Sequence, residues 1–391
     1  MRSVPSWRRR AVVAALTVGL VAAGCGDDDD EGAEDDSGTE AGGGSGYGAG
    51  LDLTSVCPDP LVVQTDWFPE PEHGGLYQVI GTDGEADAGA GTYTGPLGET
   101  GIDLEIRAGG PFLGGQSTSA QMYADPDIFM GYVATDELIK DSGDQALVSV
   151  VSPLEKSPQI LMWDPEAFPD VEGFEDIAAT EAPVLYFEGA AYMDYLVGKG
   201  FVTEEQIDAS YDGSPSRFVT EEVFQQGFAS NEPYKYENDI EEWSKPVEYL
   251  LIHDAGYEIY PSSLAVRPER VDEEAECLEA VVPIMQQAQV DYMAEPEPVN
   301  DFFLGYVEDM ASFWTLSPEG NADAVEVLLE EELVSNGPDD VIGNFDMERI
   351  QTLIDESVPI FESVGVESIK EGVTAEDIAT NEFIDDTIGL P

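Results

Sequence analysis

The chain has 391 residues, of which 42% are hydrophobic, so it is long and apolar enough for two ordinary domains with buried cores. It carries 82 Asp and Glu against 15 Lys and Arg, a formal net charge of −67. This charge excludes nucleic acid and anionic lipid headgroups as binding partners. Like charges at this density destabilise the compact state unless salt screens them, so the composition predicts a salt-adapted (halophilic) protein that loses stability on desalting. The acidity itself indicates habitat and no particular activity.

The first 25 residues have the order of a secretory signal peptide. Arginines at 8–10 precede an apolar run over 11–23, which is too short for a comfortable membrane span, and small residues then lead to Cys25. The run 20–25 resembles a bacterial lipobox. We therefore predict removal of residues 1–24, export, and a lipid on Cys25 that anchors the chain to the outer face of the cell membrane. The alternative is an ordinary cleaved signal with an incidental cysteine, and the arginines allow either the general or the twin-arginine export route.

Residues 25–55 are predicted to form a flexible tether, because Asp, Glu, Gly and Ser dominate its first half and leave little apolar surface to bury. Beyond Cys25 the chain has only Cys57 and Cys277, which in an oxidising compartment predict one disulfide. Two buried free thiols are the alternative. No cysteine and histidine cluster has the spacing of a metal site, so neither a metal nor a cofactor is expected.

From Leu61 onward, short β-branched runs alternate with helical stretches. The predicted strands of the first series are Leu61–Thr65, Ile102–Arg107, Ile128–Val133, Ala146–Val151 and Gln159–Trp163, and the predicted helices between them are His73–Ile80, Gln116–Ala124 and Asp136–Lys140. A second series has strands at Val184–Phe187 and Tyr249–His253, and helices at Ala190–Val197 and Glu204–Ala209. This alternation predicts an α/β fold with largely parallel sheets covered by helices.

The last part of the chain, from Glu273, is predicted to be mainly helical, with Pro283 at a kink. Two α/β series followed by a helical tail predict two lobes joined by a hinge. We expect the chain to cross between them at Val171–Glu175 and Gly256–Pro261. Lobe two (171–259) is then an insertion in lobe one, which consists of 56–170 and 260–391.

One segment, Thr65–Tyr77, carries a recognisable motif: a strand end, a Trp-Phe-Pro turn, and His-Gly-Gly-Leu-Tyr at a helix start. It resembles the opening motif of the solute-binding family that includes binders of thiamine-pyrimidine precursors, riboflavin, taurine, alkanesulfonates and nitrate. Further matches follow in the expected order: Gly114–Ser117 before a helix, Phe187–Ala190 after a strand, and Gly227–Tyr234. Together they extend through most of the chain beyond the tether.

This resemblance implies a two-lobed periplasmic-binding-protein type II fold, each lobe a mostly parallel sheet flanked by helices. It implies a lipoprotein that delivers a small solute to an ABC permease and its ATPase, acts as a monomer and performs no chemistry itself. A thiamine-pyrimidine precursor or a riboflavin-like heterocycle is the expected solute.

Polar and aromatic side chains that follow the predicted strands are the candidate binding residues, because ligands of open α/β sheets bind at the carboxyl ends of strands. An aromatic floor with a few fixed polar groups suits a flat, hydrogen-bonding solute. The candidates are Asp66, Trp67, Phe68, His73, Tyr77, Gln116, Ser117, Thr135, Glu188, Tyr192, Asn231 and Glu232.

Three alternatives remain. Nitrate, taurine or an alkanesulfonate would require an arginine or several helix N-termini, and Arg107 and Arg217 are the arginines in suitable segments. The family resemblance also extends to the yeast-type pyrimidine synthase, in which the histidine matching His73 is consumed. Glu70 replaces the usual asparagine of that enzyme, and its cysteine-rich iron motif is missing here. A passive cell-surface interaction protein is the third alternative.

Overall fold

The computed structural model describes residues 46–391. The predicted signal peptide, Cys25 and the first part of the tether lie outside the described residues. The last ten residues of the predicted tether, 46–55, pack on the folded body: Leu53 is buried, and Tyr47 donates a hydrogen bond to Asp291 (2.8 Å). The folded body therefore begins earlier than residue 56.

Seven strands form the larger sheet, in the order β2-β3-β4-β1-β5-β12-β6. They are β1 (Leu61–Gln64), β2 (Glu85–Asp87), β3 (Thr92–Pro96), β4 (Asp103–Arg107), β5 (Ile128–Val133), β6 (Val148–Val151) and β12 (Ser263–Val266). β1 pairs in parallel with β4 and β5, whereas β12 is antiparallel to β5 and β6. Every residue of β1 is buried, as expected for a central strand covered on both faces.

Five strands form the smaller sheet, in the order β11-β7-β10-β8-β9. They are β7 (Gln159–Trp163), β8 (Val184–Leu185), β9 (Ile207–Asp208), β10 (Phe224–Phe228) and β11 (Glu248–Leu251). β8, β9 and β10 run parallel, and β7 is antiparallel to both β10 and β11. The sheets are thus mixed, with parallel centres and antiparallel additions.

Twelve α-helices of the described chain flank these sheets. They are α1 (Gly74–Ile80), α2 (Thr118–Ala124), α3 (Thr135–Asp141), α4 (Phe174–Thr180), α5 (Ala191–Lys199), α6 (Ser216–Thr220), α7 (Glu232–Asn238), α8 (Pro268–Glu273), α9 (Ala275–Ala294), α10 (Glu297–Asp309), α11 (Pro318–Glu330) and α12 (Met347–Ser363). Within residues 46–391 none of the helices has the length and apolarity needed to cross a membrane.

The glycines of the His-Gly-Gly-Leu-Tyr motif allow α1 to approach α9 closely. A Cβ on Gly74 would overlap the ring of Tyr292, and a Cβ on Gly75 would overlap the side chain of Gln289. α9 is itself tied to the start of the fold, because Cys57 and Cys277 form the predicted disulfide. These two residues of the motif therefore serve helix packing.

Two sequence predictions about local structure are wrong. Residues 204–209 were expected to be helical, but Ile207–Asp208 forms β9, because its backbone pairs with β8 beside the buried Gln206. The antiparallel β2–β3 pair was not predicted, since its Gly-, Asp- and Ala-rich residues 81–91 have no strand pattern.

The chain passes between the sheets in two segments. The first, 152–158, joins β6 to β7, so the crossing predicted at Val171–Glu175 is wrong: Gln159–Trp163 already pairs with the smaller sheet. The second, 252–262, joins β11 to β12 and includes the predicted crossing at 256–261. Arg349 of α12 binds both segments, since its guanidinium contacts a Glu155 carboxylate oxygen (2.8 Å) and donates to the carbonyl of Ile259 (2.8 Å).

Candidate functional site

The turn that follows β1 is held by a partly buried hydrogen-bond network around Asp66. Its Oδ1 lies 2.9 Å from His73 Nε2, and its Oδ2 accepts from the hydroxyl of Ser262 (2.6 Å). His73 Nδ1 lies 3.1 Å from the carbonyl oxygen of Phe68. Both ring nitrogens thus face oxygen atoms of the turn. Burial raises the pKa of Asp66, but His73 and Ser262 outweigh that effect and hold the pKa below its usual value.

Aromatic side chains cluster over this turn. Trp67 packs edge-to-face against Phe68 (ring centroids 5.7 Å apart) and Trp314 (5.9 Å). Phe313, which is 67% exposed, contacts both Trp67 (6.3 Å) and Phe68 (5.7 Å). Gly110 lies against the Trp67 ring with φ +59°, so a larger residue there would be strained as well as crowded. We call Trp67, Phe68, Phe313 and Trp314 the aromatic cluster.

Sequence reasoning missed Phe313 and Trp314. They lie in the connection between α10 and α11, next to Ala311, whose φ of +50° belongs to the left-handed region. Two adjacent large aromatic residues in a short connection between helices are the signal that was available.

The smaller sheet supplies the opposite side of the site. β10 ends at Phe228, whose backbone N–H donates to Glu232 Oε2 (2.6 Å) at the start of α7. The hydroxyl of Ser230 donates to the carboxylate of Glu72. This hydrogen bond joins the segment after β1 of the larger sheet to the segment after β10 of the smaller sheet, so the carboxyl ends of the two strands meet here.

A shallow cavity with about 20 Å³ of water-accessible space, partly open to solvent, lies at this junction. Its polar lining includes Glu70, Glu72, Ser230, Asn231 and Lys235. Trp314 of the aromatic cluster forms part of its wall. The cavity thus combines an aromatic surface with several carboxylates and one ammonium group.

Glu70 is the carboxylate of this cavity whose ionised form is most strongly disfavoured by its surroundings. The residue is only 8% exposed, and its carboxylate accepts no hydrogen bond from the described residues; the closest cation, His73 Nε2, is 3.9 Å away. Burial, with the charges of Glu72 and Asp66, raises the pKa of Glu70 well above its usual value. Burial also raises the pKa of Glu232 and lowers that of Lys235.

The ammonium group of Lys235 lies 4.3 Å from the centre of the Trp314 ring, in a cation–π contact. It forms no ion pair within 4.0 Å with the described carboxylates. The cavity therefore already places one positive charge on an aromatic face.

Glu137 is a second acidic residue that sequence reasoning missed. It is solvent-exposed on α3, yet desolvation by the surrounding protein raises its pKa to about 8, and the charges of Asp136 and Asp66 add to the effect. Exposure together with desolvation is expected for a side chain in a concave surface. Because the chain is so rich in Asp and Glu, the fact that residue 137 is a glutamate did not mark it as a candidate site residue.

Four predicted residues serve the fold rather than a binding surface. Tyr77 is fully buried beside Phe303 (ring centroids 4.8 Å apart), His73 is 1% exposed, and Thr135 accepts from the backbone N–H of Tyr260. Tyr192 is buried, with its hydroxyl donating to Gln226 (2.6 Å). In this structure their side chains are engaged inside the fold, and direct contact with a solute stays a prediction.

Of the remaining candidates, Asn231 lines the cavity, and Trp67 and Phe68 lie next to it through their contacts with Trp314. Asp66 and Glu232 are close enough for their charges to act on Glu70 in the cavity wall. Gln116, Ser117 and Glu188 are exposed and do not line the cavity. Gln116 accepts from Gln121 (2.6 Å), and Ser117 caps α2 by accepting from the N–H of Ala120. The part of Gln116, Ser117 and Glu188 in binding stays a prediction.

The two arginines considered for anion binding are already paired. Arg107 binds Glu105 (2.6 Å) and Asp125 (2.9 Å). Arg217 binds Asp208 (2.7 Å) and Glu221 (2.9 Å). Among the described residues, no group of three or more His, Cys, Asp or Glu side chains is arranged to hold a metal ion.

No protein-family model and no curated protein matches this sequence. Solved structures do share the fold. A protein of Bordetella bronchiseptica aligns over 83% of this chain and 96% of its own, with a TM-score of 0.53 and 11% identity. A Candida albicans gene product described as having the generic periplasmic binding protein fold aligns over 84% and 98%, with a TM-score of 0.51 and 10% identity.

A third similar structure is described as the periplasmic sulfonate-binding protein SsuA of a sulfonate ABC transporter from Methylobacillus flagellatus. It aligns over 83% of this chain and 93% of its own, with a TM-score of 0.51 and 11% identity. The chain therefore has the periplasmic-binding-protein fold, as the sequence predicted. At these identities the likeness establishes the fold alone.

Proposed function

We propose that the protein is an extracytoplasmic substrate-binding lipoprotein of an ABC importer that captures a small organic nutrient in the cavity between its two sheets. One observation carries the proposal: the carboxyl ends of β1 and β10 meet at a cavity lined by residues from both sides, with Glu72 and Ser230 in direct contact. Ligands of open α/β sheets bind at such edges. A solute that contacts both sides would favour a closed form, which a permease and its ATPase then recognise.

The proposed solute is a nitrogen heterocycle of the thiamine-pyrimidine-precursor or riboflavin type. The aromatic cluster offers faces for a flat ring, and Asn231 with the carboxylates offers hydrogen-bond partners for ring nitrogens and amino groups. In this proposal the protein is a monomer, anchored to the outer face of the cell membrane by lipid on Cys25, and the bound solute leaves unchanged.

Two alternatives have less support. Nitrate, taurine or an alkanesulfonate fits the fold, but Arg107 and Arg217 are each held by two carboxylates and the cavity is lined by further carboxylates. The pyrimidine-synthase alternative requires His73 as a reactant, yet this ring is 1% exposed, with both nitrogens engaged. A group so enclosed is poorly placed to react.

A thermal-shift screen in high salt tests the proposal, with thiamine precursors, riboflavin, taurine, sulfonates and nitrate as solutes. A solute at 100 times its dissociation constant should stabilise the fold by about 2.7 kcal/mol. Scattering should show compaction on addition of that solute, without turnover. Failure of every compound to stabilise the protein would count against this function.

Trp67→Ala should weaken binding of the identified solute at least about tenfold, because it removes an aromatic face worth about 1.5 kcal/mol. Isothermal titration calorimetry measures the loss. Tyr123→Ala, which removes an exposed aromatic ring on α2, is the matched control and should bind normally. Unchanged affinity of Trp67→Ala would show that the solute does not contact the aromatic cluster.

A further inference from the structure

The carboxylates around the cavity differ in how far their hydrogen-bonding capacity is used. Asp66 accepts from His73 and Ser262, Glu72 from Ser230, and Glu232 from the backbone of Phe228. Glu70 lines the cavity with a side chain that is 11% exposed, and its carboxylate accepts no hydrogen bond from the described residues; His73 Nε2 lies 3.9 Å away. A buried carboxylate without a partner is costly, so this one is placed to receive a donor from outside the chain.

The only cationic side chain in the cavity wall does not supply that donor. Lys235 lies over Trp314 and forms no ion pair within 4.0 Å with the described carboxylates. The cavity wall thus contains three acidic residues, Glu70, Glu72 and the exposed Asp239, and one ammonium group. The charges of Glu232 and Asp66 also act on Glu70. The negative charge exceeds the positive charge, and an anionic solute would be repelled.

The aromatic cluster supplies the second element of a cation site. The face of Trp314 already binds an ammonium group, which shows that its environment tolerates a positive charge on the ring. Trp67 is half-buried next to it, and Phe313 is largely exposed at the rim. A flat cation can therefore place its ring against these faces while its N–H groups point to the carboxylates.

We infer that the cavity selects a cationic nitrogen compound, an amidinium or a protonated amino-heterocycle, with Glu70 as the carboxylate that pairs with its positive charge and Trp314 and Trp67 as its aromatic contacts. This inference rests on the proposed function and narrows its solute class. In this inference, the Glu70 carboxylate is the group that makes the cavity prefer a charged ring to a neutral one.

Benzamidinium, benzamide and benzoate test the inference, because they share size and planarity and differ in charge. Calorimetry in high salt with the folded protein should give benzamidinium an affinity at least about tenfold above that of benzamide, since a charge-assisted hydrogen bond is about twice as strong as a neutral one. Benzoate should not bind. Equal affinity for benzamidinium and benzamide would overturn the inference.

Glu70→Gln keeps the shape of the side chain and should reduce the benzamidinium-to-benzamide ratio to about one. Glu237→Gln, an exposed position on α7 outside the cavity lining, is the matched control and should keep the wild-type ratio. Circular dichroism and melting curves establish that both variants fold. An unchanged affinity ratio in Glu70→Gln would show that Glu70 does not pair with the cation. If this variant does not fold, the affinity ratio of the wild-type protein still tests whether the cavity selects a charged solute.

Lys235→Gln tests the same inference in the opposite direction. Removing the resident ammonium group frees the face of Trp314 and removes a like charge, so benzamidinium should bind several times more tightly. A loss of affinity in this variant would contradict the inference.

The results separate the two proposals. Stabilisation by a neutral or anionic solute of the screen, with no binding of benzamidinium at about 10 mM, would overturn charge selection and leave solute binding intact. No response to any compound would count against both.

Discussion

Single residues of the recognised motif divide into two groups. Trp67 is half-buried and presents aromatic surface at the site, whereas Phe68, His73 and Tyr77 are enclosed and maintain the turn and the packing of α1. Glu70 and Glu72 lie between these groups in sequence and carry the charge of the cavity. The same short segment therefore supplies both the support and the lining of the site.

His253 is a half-buried, pH-sensitive residue in the second crossing segment. Its Nδ1 has no hydrogen-bond partner, and burial, reinforced by Arg349 and Lys156, lowers its pKa from 6.5 to about 4. Above pH 6.5 the ring is neutral in both folded and unfolded chains. Below that pH only the unfolded chain readily binds a proton, so stability falls as the pH decreases towards 4.

His253→Gln should therefore reduce the loss of stability between pH 6.5 and 4, by at most about 3 kcal/mol, less the effect of solvent contact with part of the ring. Denaturant unfolding at several pH values in high salt measures the difference. Parallel pH profiles for wild type and variant would show that this histidine does not titrate as described.

Among the elements, α12 is central because it packs against α3, α5 and both crossing segments. The guanidinium of Arg349 binds Glu155 in the first crossing and the carbonyls of Glu258 and Ile259 in the second, and it lies 4.0 Å from the centre of the Tyr260 ring. Both partners of the ion pair have side chains less than 15% exposed (9% and 14%). The Arg349 side chain thus holds the two crossing segments at a fixed distance from each other.

Arg349→Met should destabilise the protein by about 3–5 kcal/mol, because it leaves the buried Glu155 carboxylate without its cation. Chemical denaturation in high salt measures the effect. Arg217→Met removes a more exposed arginine that also binds two carboxylates, and this control should cost no more than about 1 kcal/mol. Similar losses for the two variants would contradict the part assigned to the crossing segments.

The molecule as a whole carries a formal net charge of −67, which must be screened for the fold to be stable. At about 1 M salt the Debye length is only about 3 Å, and repulsion between surface carboxylates largely disappears. The melting temperature should therefore rise by several degrees from dilute buffer to about 2 M KCl. An equivalent concentration of sucrose is the uncharged control, and a melting temperature insensitive to KCl would contradict salt adaptation.

Much of the fold was predictable from local patterns. β5 and β7 have the predicted bounds, β1 and α1 differ from prediction by one residue, and the long α9 lies in the region predicted to be mainly helical. Their apolar residues are continuous in buried strands or recur at helical spacing, so the pattern needs no information from distant residues. β9 was mistaken for part of a helix because two residues of a short edge strand carry too little pattern.

The candidate site was only half predictable, for a related reason. Residues that follow β1 were identified because the end of that strand is visible in the sequence, and Asn231 and Glu232 lie in a segment that the family resemblance singled out. Three further residues of the site are not in the recognised motifs: Phe313, Trp314 and Lys235. They reach the site through contacts between elements that are far apart in the chain. No local pattern specifies which side chains a distant connection brings to a cavity.

Composition and local order were enough to predict an acidic chain, an α/β fold and the Cys57–Cys277 disulfide, all of which the structure shows, and to predict export. Packing between distant segments settled which predicted residues are enclosed, where the chain crosses between the sheets, and that Glu70 remains without a partner in a cavity of excess negative charge. Short-range periodicity determines secondary structure, whereas burial and the pairing of charges depend on neighbours hundreds of residues away.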